Sequence, residues 1–595
     1  MAPAAGLPSP RWLRWTPAVV VMAVVAVVLG PALRPGYVLT GDQVFVPDQT
    51  LLPWMLGLGG GLPRSVPQDA VVALVTGPVP GWVWEKVALL GALSTLGLGV
   101  ARLLRPAGRR AAVVGAVAAV WSPYVAERLL QGHWSLLLAV AVLPWAVAQA
   151  DAARRGEVRA ASRWVLLVGL ASLTVTGGLL VLLVTAPLLL VPGALSRRAR
   201  VAALVGGVVL QLPWLVPSLV HPVSPAPLGA DVFALRSEGW WGSLLTALGT
   251  GGLWNAGSVP SSRATVLAPI VTVVLLALAF LGSRGARRVL GTPVLACLGT
   301  ASALGLAVAV AGSWSATAGV TAWVVAHVPG GGVIRDGQKL LAPWLILLSC
   351  LVGLGAARLS RAVHARRGAP AAAAAAGLLA VVPLLGVPDL VWGAQGRLAA
   401  VRYPDDWNAV RDVLLRDAAP GDVVSLPWST FRRFDWNDGR TVLDPAPRFL
   451  PRTVVADDRL LVSRGGEVVV VPGDDPRSAA VGEALRTGAP LGPVLRSVGV
   501  GWVLVEPTTA GPSAPSPPAG AVLVHRGSTL SLYRLAAPAS LPPPPGRPAV
   551  LSADASALAV LVTAALVAVA APRRRARAPG ADGARAGARG PERDG

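Results

Sequence analysis

Long apolar runs separated by short polar turns make up most of the chain before residue 396. The runs lie at 17–35, 86–101, 111–125, 134–150, 201–220, 264–282, 289–312, 338–357, 369–388 and, near the end, 548–571. A helix that crosses the hydrocarbon core of a bilayer needs about 20 apolar residues. The pattern therefore predicts an all-α polytopic membrane protein with about twelve transmembrane helices.

A further apolar segment, 164–192, is longer than one crossing and short for two. Arginine clusters flank it on both sides, and Thr176, Gly177 and Gly178 interrupt it near the middle. Because both flanks are expected on one side of the membrane, the segment must return to the side it left. We predict a hairpin of two short helices, which forms either two spans or a re-entrant loop.

Arginine clusters alternate with the apolar runs and set the orientation. They lie at 11–14, 102–110, 154–163, 197–200, 284–288, 358–367 and 573–577. By the positive-inside rule these turns face the cytoplasm, which places both termini inside a multi-pass protein of the cytoplasmic membrane. The first run, behind Arg11 and Arg14, is expected to be an uncleaved signal anchor. Since these turns explain most of the net charge of +22, no nucleic-acid partner is predicted.

One stretch, 396–545, replaces apolar runs with charges, prolines and short β-branched segments. Its pattern predicts helices at Asp405–Asp417 and Ser478–Arg486, and strands at Asp422–Leu426, Glu467–Val471, Gly501–Val505 and Ala521–Val524. We expect a small extracytoplasmic α/β or α+β domain. The predicted organisation is a transmembrane domain at 1–395 with a long first external loop at 36–85, the soluble domain at 396–545, a last transmembrane helix at 546–572 and a disordered basic tail at 573–595.

Composition agrees with a membrane protein, because 54% hydrophobic and 14% charged residues cannot cover a water-soluble surface. Both cysteines, Cys297 and Cys350, fall inside predicted spans, so neither a disulfide framework nor a metal cluster is predicted. The predicted spans also lack the mid-membrane carboxylates, His or Lys on which coupled transporters depend.

The candidate chemistry lies instead in the predicted external loops. The first loop carries Asp42 and Asp48, either of which is a candidate base for a sugar hydroxyl. Alternatively, both are turn residues whose side chains bind local backbone amides. The candidates in the later loops are Glu127, Arg128, His133, Trp240, Trp241, Arg335, Asp336 and Lys339.

The glycine run before Arg335 has a physical logic for binding an anion. It opens directly onto a predicted span, so free backbone amides and the positive end of a helix dipole would face outward. Arg335 and Lys339, four residues apart, would share one helix face, which suits a lipid-linked phosphate. The alternative is that both side chains reach anionic lipid headgroups.

The other candidates also have simpler explanations. His133 beside Trp134 is typical of a membrane-interface anchor as well as of a proton shuttle. Trp240 with Trp241 is typical of interface anchors as well as of aromatic platforms for sugar rings. Glu127 and Arg128 would otherwise stabilise a helix end. In the soluble stretch, FRRFDWNDGRTVLDPAPRFLP would dock an acceptor glycan or pack against the membrane part, with Asp444 and Arg448 in structural ion pairs.

Several segments carry a resemblance to a known family. In the membrane part these are TGDQVFVPDQ, SPYVAERLLQGHW and GGGVIRDGQKLLAPW; in the soluble part they are YPDDWNAVRDVL, LPWSTFRRFDWNDGRTVLDPAPRFLP, SVGVGWVLVE and LSLYRLAAPASLP. In order and character the chain resembles the C-type (GT-C) glycosyltransferase superfamily. Within it, the chain is similar to YfhO-type membrane proteins and to the membrane region of actinobacterial arabinofuranosyltransferases.

The resemblance implies inverting transfer of a sugar from a polyprenyl-phosphate donor to an extracytoplasmic glycan, lipid or protein of the cell envelope. It assigns the base to Asp42, with Asp48 as substitute, and the donor phosphate to Arg335, Lys339 and Arg128. Glu127, His133, Trp240, Trp241 and Asp336 would complete the pocket. No cofactor is certain, and a divalent metal ion stays open. The alternative function is a non-catalytic membrane protein that transports lipid-linked precursors or scaffolds envelope assembly.

Overall fold

The computed structural model describes residues 15–220, 231–328, 330–464, 467–507 and 515–570. Within them, eight helical segments are long and apolar enough to cross a membrane, and nine if one bent pair forms a single span. They are Thr16–Leu33, Gly81–Leu103, Arg109–Gln131, Trp134–Arg154, Leu267–Leu290, Thr292–Ala311, Gly337–Leu385 and Arg547–Ala570, with Arg197–Val209 and Leu212–Val220 as the bent pair. The chain is thus a multi-pass membrane protein, whereas the expected count of about twelve is not confirmed. The basic tail at 573–595 and the arginines at 11–14 lie outside the described residues.

Sixteen α-helices precede the polar domain in the described part of the chain. They are α1 (Thr16–Leu29), α2 (Gln68–Val75), α3 (Gly81–Leu103), α4 (Arg109–Val120), α5 (Pro123–Gln131), α6 (Trp134–Arg154), α7 (Val158–Ala171), α8 (Val175–Leu190), α9 (Arg197–Val209), α10 (Leu212–Val220), α11 (Gly242–Leu248), α12 (Leu267–Leu290), α13 (Thr292–Ala311), α14 (Ser315–His327), α15 (Ala342–Leu385) and α16 (Val391–Gln395). One of them, α15, contains the two crossings expected at 338–357 and 369–388, and its backbone breaks between them at Gly368, with φ 78°.

The segment 164–192 forms two short helices, as predicted, but the break is elsewhere. Helix α7 has 14 residues and α8 has 16, so each rises only about 21–24 Å at ~1.5 Å per residue. The chain turns at Ser172–Thr174, and the expected interruption at Gly177 and Gly178 lies inside α8. Those glycines serve packing, since a Cβ at Gly177 would lie within 3.0 Å of the Ala139 side chain.

Small residues allow the central helices to approach closely. A Cβ on Gly282 of α12 would meet the Leu351 carbonyl of α15, and one on Gly355 of α15 would meet the Leu278 carbonyl of α12, both within 3.0 Å. Such backbone contacts are typical of helix pairs in lipid, where packing rather than water exclusion drives association. This tight bundle forms a rigid base for the loops at one of its ends.

Residues 405–534 form a separate unit, which we call the sheet domain. Its strands are β1 (Asp422–Leu426), β2 (Phe431–Arg433), β3 (Thr441–Leu443), β4 (Val454–Val455), β5 (Leu460–Arg464), β6 (Glu467–Val471), β7 (Val500–Val505), β8 (Val522–Arg526) and β9 (Ser531–Arg534). Its helices are α17 (Asp405–Arg416), α18 (Ala446–Phe449), α19 (Pro476–Thr487) and α20 (Leu491–Ser497), and the apolar helix α21 (Arg547–Ala570) follows.

The main sheet has the order β4-β1-β7-β9-β8, with the first three strands parallel and the last two antiparallel. The pairs β2-β3 and β5-β6 form separate hairpins. This mixed sheet with helices confirms the predicted fold class. Predicted strands coincide with β1, β6, β7 and β8 to within two residues at each end, and the predicted helices with α17 and α19. Strands β2 to β5 and β9 were missed because each is short or lacks a β-branched run.

The loop after α1 is joined to the polar part of the chain by backbone pairing. Tyr37 pairs with Val401, and Gly41 pairs with Val442 of β3. The Gly41 N–H donates to the Thr441 carbonyl at 2.9 Å, and the Leu443 N–H donates to the Gly41 carbonyl at 2.8 Å. The loop thus adds a short strand segment to the β2-β3 hairpin. Asp42 is the next residue after this contact.

Candidate functional site

Asp42 is held at the junction of three elements. On one side is the β2-β3 hairpin, and on the other the Asp42 N–H donates to the Gln131 carbonyl at the end of α5, at 2.9 Å. Gly132, with φ 83°, lies so close to this loop that a Cβ there would come within 3.0 Å of the backbone of Thr40, Asp42 and Gln43. The Asp42 backbone therefore has little freedom, while its side chain is 37% exposed.

A chain of hydrogen bonds runs from Asp42 into the protein. His133 Nε2 lies 3.0 Å from Asp42 Oδ2, and His133 Nδ1 lies 2.9 Å from Arg128 Nη1. Because the guanidinium can only donate, Nδ1 must accept and Nε2 must carry the proton. The imidazole therefore donates to the Asp42 carboxylate, and Arg128 sets its tautomer.

The protonation states follow from these contacts. Burial raises the pKa of Asp42, but hydrogen bonds from His133 and Gln131 and the charge of Lys339 outweigh it, so the pKa lies below its usual value of 3.8. Burial lowers the pKa of His133, and the charge of Arg128 opposes the raising effect of Asp42. At neutral pH the pair is thus a carboxylate beside a neutral imidazole.

Arg128 also connects this pair to the residues before α15. Its Nη1 lies 3.5 Å from Asp336 Oδ2, and Lys339 Nζ lies 3.4 Å from the same oxygen. Burial raises the pKa of Asp336, whereas the charges of Arg128 and Lys339 bring it below its usual value. In this group Arg128 is fully buried and Lys339 is 26% exposed. Asp42, His133, Arg128, Asp336 and Lys339 thus form one continuous cluster, which we call the Asp42 cluster.

The Asp42 cluster contains unused hydrogen-bonding capacity. Among the described residues, Arg128 Nε and Nη2 and Asp336 Oδ1 are buried and have no hydrogen-bond partner. Buried polar atoms without partners are uncommon in proteins.

Glu127, the residue before Arg128, connects three segments next to the Asp42 cluster. Its carboxylate accepts from the Gly252 and Leu253 N–H groups, at 3.0 and 3.1 Å, and from Gln338 Nε2 at 2.8 Å. It therefore ties α5 to the loop before α12 and to the turn that carries Lys339. The sequence put SPYVAERLLQGHW in an external turn, but Pro123–Gln131 is a helix whose nine residues are all buried. The expected turn is therefore a helix, in which hydrogen-bond partners distant in sequence compensate the buried charges, and its external placement stays a prediction.

The expected pairing of Arg335 with Lys339 on a helix face is also wrong. Helix α15 begins only at Ala342; Lys339 lies in a short 3₁₀ turn before it, and Arg335 lies between that turn and the preceding one. With three residues per turn, such a turn brings Lys339 over Asp336 rather than over Arg335. Arg335 stacks on Phe233, with its Cζ 4.3 Å from the ring centroid.

The remaining candidates lie outside the cluster. Asp48 binds Arg411 of α17 at 2.6 Å and so joins the first loop to the sheet domain. Trp240 is 82% exposed and packs edge-on against Trp241, whose Nε1 donates to Thr246. Nothing in these contacts connects either pair to Asp42.

Two supporting residues were not identified from the sequence. Glu85, fully buried at the start of α3, accepts from the Val38 N–H and from Gln43 Nε2, and so anchors the loop around Asp42. Tyr124 donates to the Lys339 carbonyl at 2.9 Å. In neither case does a local pattern reveal the role, because each partner is at least 42 residues away.

No family model and no curated protein matches the chain. Among solved structures it is similar to the arabinofuranosyltransferase AftD from mycobacteria, with a TM-score of 0.54 and 17% identity over 89% of this chain. The chain shares the fold of AftD. It covers 42% of the AftD chain, so it corresponds to less than half of that protein. This likeness shows the fold alone, so the resemblance to the GT-C superfamily and to YfhO-type proteins stays a prediction.

ArnT from Cupriavidus metallidurans matches more loosely. Its apo structure has a TM-score of 0.42 at 12% identity, covering 87% of this chain and 97% of that one. Its structure bound to undecaprenyl phosphate has a TM-score of 0.39 at 12% identity, covering 89% and 100%.

The acidic residues do not converge on a metal site. Within the described residues, no group of three or more His, Cys, Asp or Glu side chains is placed to hold a metal ion. Asp42 is bound by His133, Asp336 by Arg128 and Lys339, and Asp48 by Arg411. A divalent ion would have to displace these partners, most of which are cationic, so the donor set fits one poorly.

Proposed function

We propose that the chain is an integral membrane glycosyltransferase that transfers a sugar from a polyprenyl-phosphate donor to an acceptor in the cell envelope. The observation that carries this proposal is the Asp42 cluster, where an ionised, partly exposed carboxylate lies beside a fixed imidazole and a partly exposed ammonium group. Carboxylates in such settings take protons from hydroxyl groups. The AftD-like fold is compatible with this chemistry.

In the proposed reaction, an acceptor hydroxyl oxygen attacks the anomeric carbon and its proton moves to Asp42. The bond between that carbon and the phosphate oxygen breaks, and the lipid phosphate leaves with the bonding electrons. Lys339 would contact the leaving phosphate, and Arg335, the residue before Asp336, would add a second cation. Arg128, which is fully buried, would act by positioning His133 and Asp336. Inversion at the anomeric carbon follows from a single displacement.

Asp42→Asn tests the base. The amide keeps the shape but cannot accept the proton, so we expect transfer to fall by about 10²–10⁴-fold. The assay uses purified protein in liposomes with a panel of radiolabelled polyprenyl-phosphate sugars and envelope glycans. Asp48→Asn is the matched control, because Asp48 lies in the same loop but binds Arg411. Undiminished transfer by Asp42→Asn at wild-type abundance and thermal stability would remove Asp42 from the mechanism.

Lys339→Met tests the phosphate contact separately. Loss of one charged hydrogen bond should weaken donor binding about tenfold to a hundredfold, so KM for the donor should rise. The KM for the acceptor is expected to stay constant. Equal rises in both would instead indicate general disruption of the site.

We also propose that the Asp42 cluster and the sheet domain face the extracytoplasmic side. Glu483→Cys, on an exposed part of α19, should react with a membrane-impermeant maleimide in intact cells, and Arg109→Cys only after lysis. Both are made in a Cys297→Ser background, since Cys350 is fully buried. The opposite labelling pattern would overturn the orientation.

A further inference from the structure

A cavity of about 600 Å³ lies between the sheet domain and the loop that carries Asp42. Thr40, Gly41 and Gln131 line one side, and strands β2, β3 and β5 contribute to the other. Ligand sites in proteins commonly have volumes of roughly 300–1,000 Å³. No residue of the Asp42 cluster lines this cavity, so the two are distinct, whereas five lining residues belong to the segment expected to dock an acceptor glycan: Phe431, Arg433, Gly439, Arg440 and Thr441.

The charge of the cavity wall is one-sided. Its described lining residues include four arginines and no aspartate or glutamate. The arginines are Arg397, Arg433, Arg440 and Arg459. A cleft lined by charges of one sign concentrates oppositely charged ligands. This wall therefore favours an anion.

Carbonyl, hydroxyl and aspartate groups hold the arginines in place. Arg440 Nη1 donates to the Ala399 carbonyl at 2.6 Å, Arg433 Nε donates to Thr441 Oγ1 at 3.0 Å, and Arg397 donates to the Gly257 carbonyl. Carbonyl and hydroxyl partners orient a guanidinium without neutralising it. Arg440 is also paired with Asp438, at 3.5 Å, and Arg459 with Asp457, at 2.8 Å, and neither aspartate lines the cavity.

The same cavity offers groups that suit a sugar. Trp254 and Phe431 supply aromatic surface, and Asn255, Ser429 and Thr430 supply amide and hydroxyl groups. Aromatic faces accept the apolar faces of sugar rings, and a few polar groups fix orientation. Arginines with aromatics and hydroxyls therefore favour a charged glycan over a bare ion.

Gln131 connects this cavity to the proposed base. Its Oε1 accepts from Asn255 Nδ2 at 2.8 Å and from Ser258 Oγ at 2.9 Å on the cavity wall, while its backbone carbonyl accepts from Asp42. The wall residues Thr40 and Gly41 also lead directly into Asp42. The cavity wall and Asp42 are thus joined through the backbone of Thr40 and Gly41 and through Gln131.

We infer that this cavity binds the acceptor and that the acceptor is an anionic glycan, carrying phosphodiester or carboxylate groups. The inference rests on the proposed function, which it extends by naming the acceptor class. The cavity arginines would then select the acceptor, and the Asp42 cluster would bind the phosphate of the donor.

Binding to the full chain in nanodiscs of neutral lipid tests this directly. The probes are a fluorescent glycerol-phosphate oligomer and a neutral dextran oligosaccharide of matched length. We expect the phosphodiester probe to bind the more tightly, with an affinity that falls as salt is raised, because screening weakens charge attraction. Equal affinities for the two probes would overturn the inference.

Arginine variants locate the binding. Arg397→Gln and Arg433→Gln, both at exposed positions, should each weaken phosphodiester-probe binding about tenfold. Arg486→Gln is the control, an exposed arginine of the same domain outside the cavity, paired with Glu483. An unchanged probe affinity in the cavity variants, or a raised donor KM instead, would overturn the assignment.

Asp42→Asn separates this inference from the proposed function. The variant should bind the phosphodiester probe as wild type does, but should not transfer sugar. Charge-selective binding by a wild-type protein that transfers no sugar would refute the acceptor role together with the proposed function. Sugar transfer that neither favours anionic acceptors nor responds to the arginines would refute this inference alone.

Discussion

Asp42 and His133 are 91 residues apart in the chain, yet His133 Nε2 donates to Asp42 Oδ2 at 3.0 Å. This contact gives the carboxylate a fixed direction and a lowered pKa. In the proposed reaction, the acid limb of the pH–rate profile therefore reports the pKa of Asp42 in this pair, because a base works only when deprotonated.

His133→Ala should move that acid limb to higher pH. Without the imidazole, the effect of burial on Asp42 is less opposed, so its pKa rises and activity is lost earlier as pH falls. The measurement is kcat/KM for transfer across the pH range. His525→Ala is the control, since His525 lies 3.8 Å from Asp406 in a comparable pair away from the site. An acid limb at the same pH as in the wild type would show that His133 does not lower the pKa of Asp42.

Gly132→Ala should destabilise the protein and disturb the Asp42 loop. A positive φ costs a residue with a Cβ about 1–2 kcal/mol, and here the Cβ would also meet the backbone around Asp42. Gly488→Ala is the control, because Gly488 has φ 71° but nothing within 4 Å of an added Cβ. We expect a larger loss of Tm, and a loss of transfer, only for Gly132→Ala. Equal effects of the two variants would contradict close packing at Gly132.

Arg448→Met should destabilise the contact between the first loop and the sheet domain. Arg448 Nε lies 3.0 Å from Asp69 Oδ2, and both side chains are buried, so removal of one partner leaves an unpaired charge. Such losses cost about 3–5 kcal/mol. Arg416→Met, at an exposed pair with Asp412, should stay within about 0.5 kcal/mol in thermal unfolding. The double variant Asp69→Leu with Arg448→Met should regain stability, and a further loss would argue against the pair.

Glu506 predicts a pH effect on the stability of the sheet domain. Burial, followed by the charge of Asp444, raises its pKa from 4.5 to about 8, so the folded state favours the protonated acid. This contribution is complete below pH 4.5 and is lost as pH rises towards 8. Glu506→Gln should therefore flatten the decline of Tm over that range, whereas the exposed Glu483→Gln should not. If Tm of Glu506→Gln declined with pH as steeply as that of the wild type, other groups would cause the decline.

The sequence predicted the elements that depend on local pattern. Apolar runs of sufficient length gave the spans, and β-branched runs gave strands such as Asp422–Leu426. The suspected ion pairs of Asp444 and Arg448 are confirmed, but their partners, Arg432 and Asp69, could not be named. Partner choice depends on tertiary packing, which no local period encodes.

The sequence predicted which residues belong to the candidate site, but not which of them contact one another. Asp42, Arg128, His133, Asp336 and Lys339 were all candidates from their loops, and they meet in one cluster. The burial of Glu127 was not predictable, because the amides that compensate its charge belong to residues 125 and 126 positions later.

The pairing of Gly41 with β3 has a consequence for how the protein is made. The loop that bears Asp42 leaves the ribosome early, while the hairpin that holds it is translated some 400 residues afterwards. Every growing chain therefore spends most of its synthesis inserted in the bilayer without a completed site. The Asp42 loop can take its final structure only when the sheet domain has been translated and has folded onto it.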